Sequence, residues 1–210
     1  MTRRQLAEIS DELARRHAAF RAIVTAAGPC DLRRGRPRRG HFAELARMIA
    51  YQQLAGKAAA AIHGRFAALF DGEQPTPEAV LALPMTKLRG AGLSTAKATS
   101  IRDLAEKVLD GSVKLARIGR LSDEEIVREL TLVRGIGRWT AEMFLMFQLG
   151  RLDVWPVDDY GVRKGYARLF GHDELPTAKA LLELGEPFRP HRSVAAWYCW
   201  RAADTVTPDA

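Results

Sequence analysis

Apolar residues recur along this 210-residue chain at three- and four-residue spacing, and the elements such spacing predicts are helices. Leu6, Ile9, Leu13 and Phe20 mark a first amphipathic stretch. Phe42, Leu45, Met48 and Ile49 mark one face of a second, and a third is predicted over about Lys57 to Phe70, ended by Asp71-Gly72. Pro75 and Pro77 are expected to break the helical pattern beyond that point. Ser94 is a fit N-cap for a helix over Thr95 to Leu109, and Ser122 before Asp-Glu-Glu opens another that runs to Leu132. Gly135 and Gly137 interrupt the pattern, which resumes from Arg138 to about Leu149. After a connection over 150–158 that contains Pro156, helices are predicted at about 159–170, 177–184 and 191–203. No stretch alternates with a strand's period and nothing repeats, so the fold class is all-α.

In such a chain residues 40–150 are expected to form one helical lobe. Residues 1–30 would join 155–210 in a second, with a ligand groove between the two. A hydrophobic content of 47% is enough for a real core. Lys and Arg number 32 against 25 acidic residues, a net charge of +7 that favours a polyanionic partner, since such side chains displace counterions from phosphates. The loop from Gly28 to Gly40 carries Arg33, Arg34, Arg36, Arg38 and Arg39, which either touch phosphates or form a solvated loop. Two cysteines, Cys30 and Cys199, are too few for a four-thiolate cluster and make at most one disulfide, with free thiols the expectation. The five histidines are scattered without ligand spacing. No signal peptide or spanning segment is evident, so a monomeric intracellular protein without a membrane partner is expected.

The most informative stretch is Leu130-Thr-Leu-Val-Arg-Gly-Ile-Gly-Arg-Trp-Thr140, two helices joined by a very short turn. Glycine at 135 and 137 permits positive φ and close approach of a partner. Amides at the start of the second helix, from Gly137 and Arg138 on, would suit a phosphate, because that end carries partial positive charge and unused donors. Such a contact holds DNA without reading its sequence. Taken alone, Gly-x-Gly is as well explained by an ordinary tight turn.

It does not stand alone. Asp159 comes twenty positions after Trp139, within Val157-Asp158-Asp159-Tyr160-Gly161-Val162. Further motifs are Gln52-Gln53-Leu54-Ala55-Gly56-Lys57-Ala58-Ala59, Gly90-Ala91-Gly92-Leu93-Ser94-Thr95-Ala96-Lys97 and Arg192-Ser193-Val194-Ala195-Ala196-Trp197-Tyr198-Cys199-Trp200. Together they resemble, over about residues 40–203, the helix-hairpin-helix–Gly/Pro/Asp superfamily of DNA glycosylases, and within it the 3-methyladenine DNA glycosylase II branch. The hairpin would span about 123–149. Two departures stand out: Arg134 where the family often has proline before the first hairpin glycine, and Ala55 where many members have serine.

The resemblance implies a monofunctional glycosylase of base excision repair that flips an alkylated base, of the 3-methyladenine or 7-methylguanine type, out of duplex DNA and hydrolyses its glycosidic bond. Asp159 would be the catalytic carboxylate, since bond cleavage builds positive charge on the sugar. From residue types alone, Asp158 and Asp159 are a helix N-cap pair, and Asp158 keeps a supporting role. Trp139 stands where relatives that cut the backbone have a lysine nucleophile, so imine chemistry lacks its amine. Trp139, Tyr160 and Trp200 would line the base pocket, a tryptophan face attracting a cationic base by about 0.5–2 kcal/mol; Trp139, Met143 and Phe147 read equally as one helix's core stripe. For Trp155 pocket and core are both open. Gln53 would fill the hole left by the base, and Gly135, Gly137, Arg138 and Thr140 would meet the DNA backbone. Backbone carbonyls of Thr131, Val133 and Ile136 would hold a monovalent cation, with no other cofactor and no iron–sulfur cluster. The compartment would be the nucleoid-bearing cytoplasm of a bacterium or a eukaryotic nucleus. Two other readings are a same-fold glycosylase for oxidised or deaminated bases and a non-catalytic DNA-binding repair module.

Overall fold

The computed structural model describes residues 2–32 and 39–203. The arginines at 33, 34, 36 and 38 lie outside the described residues; Arg39, the last of the run, sits 3.7 Å from the Glu44 carboxylate. The described residues are helical throughout, without a strand. In chain order the helices are α1 (Arg3–Arg16), α2 (Arg21–Ala27), α3 (His41–Tyr51), α4 (Gly56–Ala67), α5 (Pro77–Ala82), α6 (Met85–Gly90), α7 (Thr95–Leu109), α8 (Asp123–Leu130), α9 (Arg138–Met143), α10 (Tyr160–Phe170), α11 (Ala178–Leu184) and α12 (Arg192–Ala202).

Capping explains several boundaries. Ser94 and Ser122 accept from the amides three residues on, and Glu125 returns a bond to the Ser122 amide, completing a capping box at α8. The expected break at Pro77 is instead a start. Thr76 caps α5 and Pro77 takes its first position, where the missing N–H would have had no helical partner. The short α6 was not predicted either. The stretch expected from Arg138 to Leu149 is helical, but α9 loosens into π-helical turns over Phe144–Leu149. The apolar run there satisfies either helix, so periodicity could not separate them.

The chain divides into two compact units, Pro37–Phe144 and Met1–Arg36 with Leu145–Ala210. In the first, α7 packs against α3 and α5 over a core that includes Leu45, Ile49, Phe66, Leu88, Ile101, Leu104 and Ile118, all buried. Each such side chain contributes roughly 1.5–3 kcal/mol by leaving water.

In the second unit α12 is buried from Arg192 to Trp200 and lies along α10. The crossing is close because residue 165 is glycine: a Cβ there would collide with the Cys199 carbonyl. Phe20 meets Phe170, Phe188 and Tyr198 edge-on in the same core. Trp155 is core too, donating its indole N–H to the Leu181 carbonyl at 2.8 Å. Cys30 and Cys199 are free thiols. Burial pushes the Cys30 thiol up to about 12; burial, and then the nearby Asp159 carboxylate, push Cys199 up as well.

Candidate active site

Asp159 is prepared by the segment before it. Ser193 at the start of α12 donates to the Arg151 carbonyl and accepts from the Val154 amide, and the Arg192 guanidinium grips Asp153 at 2.8 Å. Residues 151–156 are thereby stapled to α12, and the Asp159 amide closes a turn on the Pro156 carbonyl. Asp159 is the N-cap of α10. Its Oδ1 accepts from the Val162 amide at 2.8 Å and from the Trp200 indole N–H, also at 2.8 Å. The residue is 8% exposed, so the carboxylate is held at a helix end and largely desolvated. The capping place considered for Asp158 belongs to Asp159 alone. The cap is the residue just before the first helical one, and Asp158, one position earlier, is exposed in the turn.

Trp200 is 1% exposed, and its ring stacks on the half-buried Phe147 at 5.9 Å. What it presents to Asp159 is its N–H edge. Tyr160, the next residue after the cap, is 62% exposed.

The hairpin between α8 and α9 lies in the other unit. Gly135 has φ +79°, and a side chain there would meet Ser100 Oγ at 2.6 Å, so the turn rests directly on α7. Gly137 is the N-cap of α9 and gives its first turn no side-chain cap; a Cβ at 137 would meet open space. The Arg138 guanidinium reaches back to Glu124 at 3.1 Å and to Glu142 at 3.5 Å. Thr140 is buried, its hydroxyl accepting from Gln52 Nε2 at 3.3 Å. Thr140 is thus engaged within the unit, and Arg138 is held in a surface ion pair. Trp139, by contrast, is 38% exposed while Met143 of the same helix is buried, so Trp139 is not part of that helix's core stripe. Among the described residues no three His, Cys, Asp or Glu side chains gather as a metal site.

Gln53 stands in the turn between α3 and α4 with φ +56°, a conformation non-glycine residues seldom adopt. Ala55 is the N-cap of α4 and has no side chain to cap it. A serine there would be worth about 1 kcal/mol, so the turn is braced by other means. Lys97 Nζ donates to the Ala50 carbonyl at 2.8 Å, and Gln52 Nε2 donates to the Gly135 carbonyl at 2.9 Å. Gln52 therefore ties the Gln53 turn to the hairpin. The sequence alone singles out neither Gln52 nor α7 for a role of its own. The available signal was Lys97, Ser100 and Asp103, three polar residues at one helical spacing beside the buried Ala98, Ile101 and Leu104.

A helix-hairpin-helix turn lies in one unit and a buried aspartate caps a helix in the other, within an all-helical fold. The chain belongs to the HhH-GPD superfamily of base excision DNA repair proteins, whose match covers residues 46–190. It is 37% identical over 186 residues to DNA-3-methyladenine glycosylase 1 of Schizosaccharomyces pombe, spanning 88% of this chain and 82% of that one. The structure of the S. pombe 3-methyladenine DNA glycosylase in complex with abasic DNA superposes with a TM-score of 0.81 at 36% identity, covering 92% of this chain and 95% of the other. A DNA-3-methyladenine glycosidase from Bacillus halodurans gives the same TM-score at 35% identity, with 92% and 88% covered.

Proposed function

We propose that the chain is a monofunctional DNA glycosylase of base excision repair that releases alkylated bases from damaged duplex DNA, with Asp159 as its catalytic carboxylate. The observation that carries the assignment of Asp159 is its setting: a desolvated carboxylate fixed by a helix amide and an indole N–H. As the glycosidic bond lengthens, positive charge grows on the sugar. A carboxylate already oriented stabilises that charge without having to reorganise, and it directs a water to the anomeric carbon. In this reading Trp200 orients Asp159 rather than facing the base, and Asp158 stays in the turn as support. Trp139 in one unit and Tyr160 in the other are each exposed and are read as aromatics for the base, a tryptophan face attracting a cationic alkylated base by about 0.5–2 kcal/mol.

On the DNA side, the reading gives Gly135, Gly137 and the backbone amides at Arg138 and Thr140 to a phosphate, and Gln53 to the space left by the everted base. The reading assigns the Thr131, Val133 and Ile136 carbonyls, hard oxygen donors, to a monovalent cation beside that phosphate. Val133 already accepts from the Ile136 amide and keeps a second lone pair. When bound, the cation would add positive charge for the phosphate. Trp139 supplies no amine for imine formation. The enzyme would work where the cell keeps its DNA, in a bacterial nucleoid or a nucleus. Among the described residues no helix is long and apolar enough to cross a membrane.

The deciding experiment incubates the protein with methylated duplex DNA and chromatographs what is released. Free 3-methyladenine and 7-methylguanine are expected, with intact abasic sites in the DNA and no borohydride-trapped adduct. A trapped adduct would refute the monofunctional assignment; binding without any released base would overturn the alkylated-base reading, and a duplex carrying oxidised or deaminated bases would then separate a same-fold glycosylase from a DNA-binding module.

A further inference from the structure

Arg134 stands immediately before Gly135, the first glycine of the hairpin, and it has what a proline would lack, a backbone N–H. That amide donates to Asp103 Oδ2 at 2.7 Å, across a separation of 31 residues. The other oxygen of the same carboxylate accepts from Lys107 Nζ one helical turn on at 2.5 Å, which fixes the Asp103 rotamer on α7. Burial alone would push the Asp103 carboxyl up. The Lys107 hydrogen bond and then the Arg134 amide outweigh it and hold the group below the usual carboxylate range. One residue along, Gly135 rests on Ser100 of the same α7 face.

We infer that Asp103 is a positioning residue for DNA binding, one that fixes the entry to the hairpin through the Arg134 amide and so does the work of a conformational restraint at position 134. The inference rests on the reading of the hairpin as the phosphate anchor. A proline restrains a turn by locking its own φ. Asp103 restrains it from outside, by a charge-assisted bond to an amide that proline would delete. The two devices are mutually exclusive at one position, and this makes them separable by experiment.

The test measures affinity for an undamaged duplex at fixed salt in Asp103→Ala, Lys107→Met and Arg134→Pro, in the pair Asp103→Ala with Arg134→Pro, and in Gly137→Asp. A melting curve and amide exchange accompany each. Asp103→Ala is expected to weaken binding by about tenfold, on the scale of one lost charge-assisted hydrogen bond, and to expose the Arg134 amide to exchange without lowering the melting temperature to match. Lys107→Met should cost less than about threefold, since the amide bond survives it. In the Arg134→Pro background, Asp103→Ala should cost almost nothing further. Should Arg134→Pro fail to fold, the exchange of the Arg134 amide decides: protection that survives Asp103→Ala overturns the inference. So does unchanged binding by Asp103→Ala when Gly137→Asp binds poorly, for then the anchor stands and Asp103 has no part in it. Unchanged binding by Gly137→Asp as well removes the anchor reading itself, and the inference with it.

Discussion

The hairpin in one unit and the Asp159 turn in the other are both helix N-termini, and they treat the same electrostatics in opposite ways. The start of α9 is capped by Gly137, which has no side chain to offer its own amides. Its partial positive charge is available to an outside anion. The start of α10 is capped by Asp159, whose carboxylate accepts from the Val162 amide. Its partial positive charge is used within the chain, to hold the carboxylate proposed as catalytic. A helix end can serve a ligand or prepare a catalyst, and one residue identity at the cap decides which. The neighbouring side chains differ in the same sense. Around Gly137 they are engaged by other side chains, Arg138 with Glu124 at the surface and Thr140 with Gln52, while around Asp159 a side chain, Trp200, is brought to the carboxylate.

The sharpest way to break this comparison is at Asp159. Asparagine keeps the cap and the acceptor for Trp200 but removes the charge. Asp159→Asn is expected to fold and bind DNA while losing base release by ~10²-fold or more. Asp158→Asn, exposed in the turn, should stay near the parent. Single-turnover release from methylated duplex beside a melting curve checks both; the reverse ranking would place the catalytic carboxylate one residue earlier. Next in size is Gly137→Asp, which imports at α9 the device used at α10. With open space for the side chain the fold should hold, and affinity for any duplex should fall by roughly tenfold or more at low salt as a carboxylate takes the phosphate's place. A titration showing wild-type affinity would mean that the hairpin is not the anchor. A smaller loss is expected from Trp200→Phe, which keeps an aromatic ring against Phe147 but deletes the N–H together with part of the indole. Release should slow by about fivefold with binding unchanged, the scale of one hydrogen bond that orients rather than reacts. A loss of affinity instead would mean that Trp200 faces the DNA.

Much of the architecture was legible because helices announce themselves by period and cap. Ser94, Ser122 and the glycines of the hairpin mark boundaries close to where they fall. Asp159 was singled out as a candidate by its spacing from Trp139 within a family pattern, and the structure shows it buried as the cap of α10. What stayed hidden depends on tertiary packing. Nothing in the residues around Trp200 says that its ring is enclosed and its N–H turned to residue 159, forty-one positions earlier. Thr140 and Arg138 have the chemistry of hands for DNA, and only the fold reveals that Gln52 and Glu124 hold them. Pro77 reads as a breaker because the sequence shows a proline, not whether it stands inside a helix or at its first position.

Gly165 is buried where α10 crosses α12, and the crossing admits no atom beyond its hydrogen. Cys199, whose carbonyl fills that space, adjoins Trp200, and α10 begins at the Asp159 cap. A methyl group at 165 would have to be accommodated by moving one helix off the other, and the aspartate–indole bond spans both. In a selection for repair, position 165 should therefore score like a member of the catalytic set. Its intolerance would report a tolerance in machining, the width of a joint, rather than any chemistry of its own.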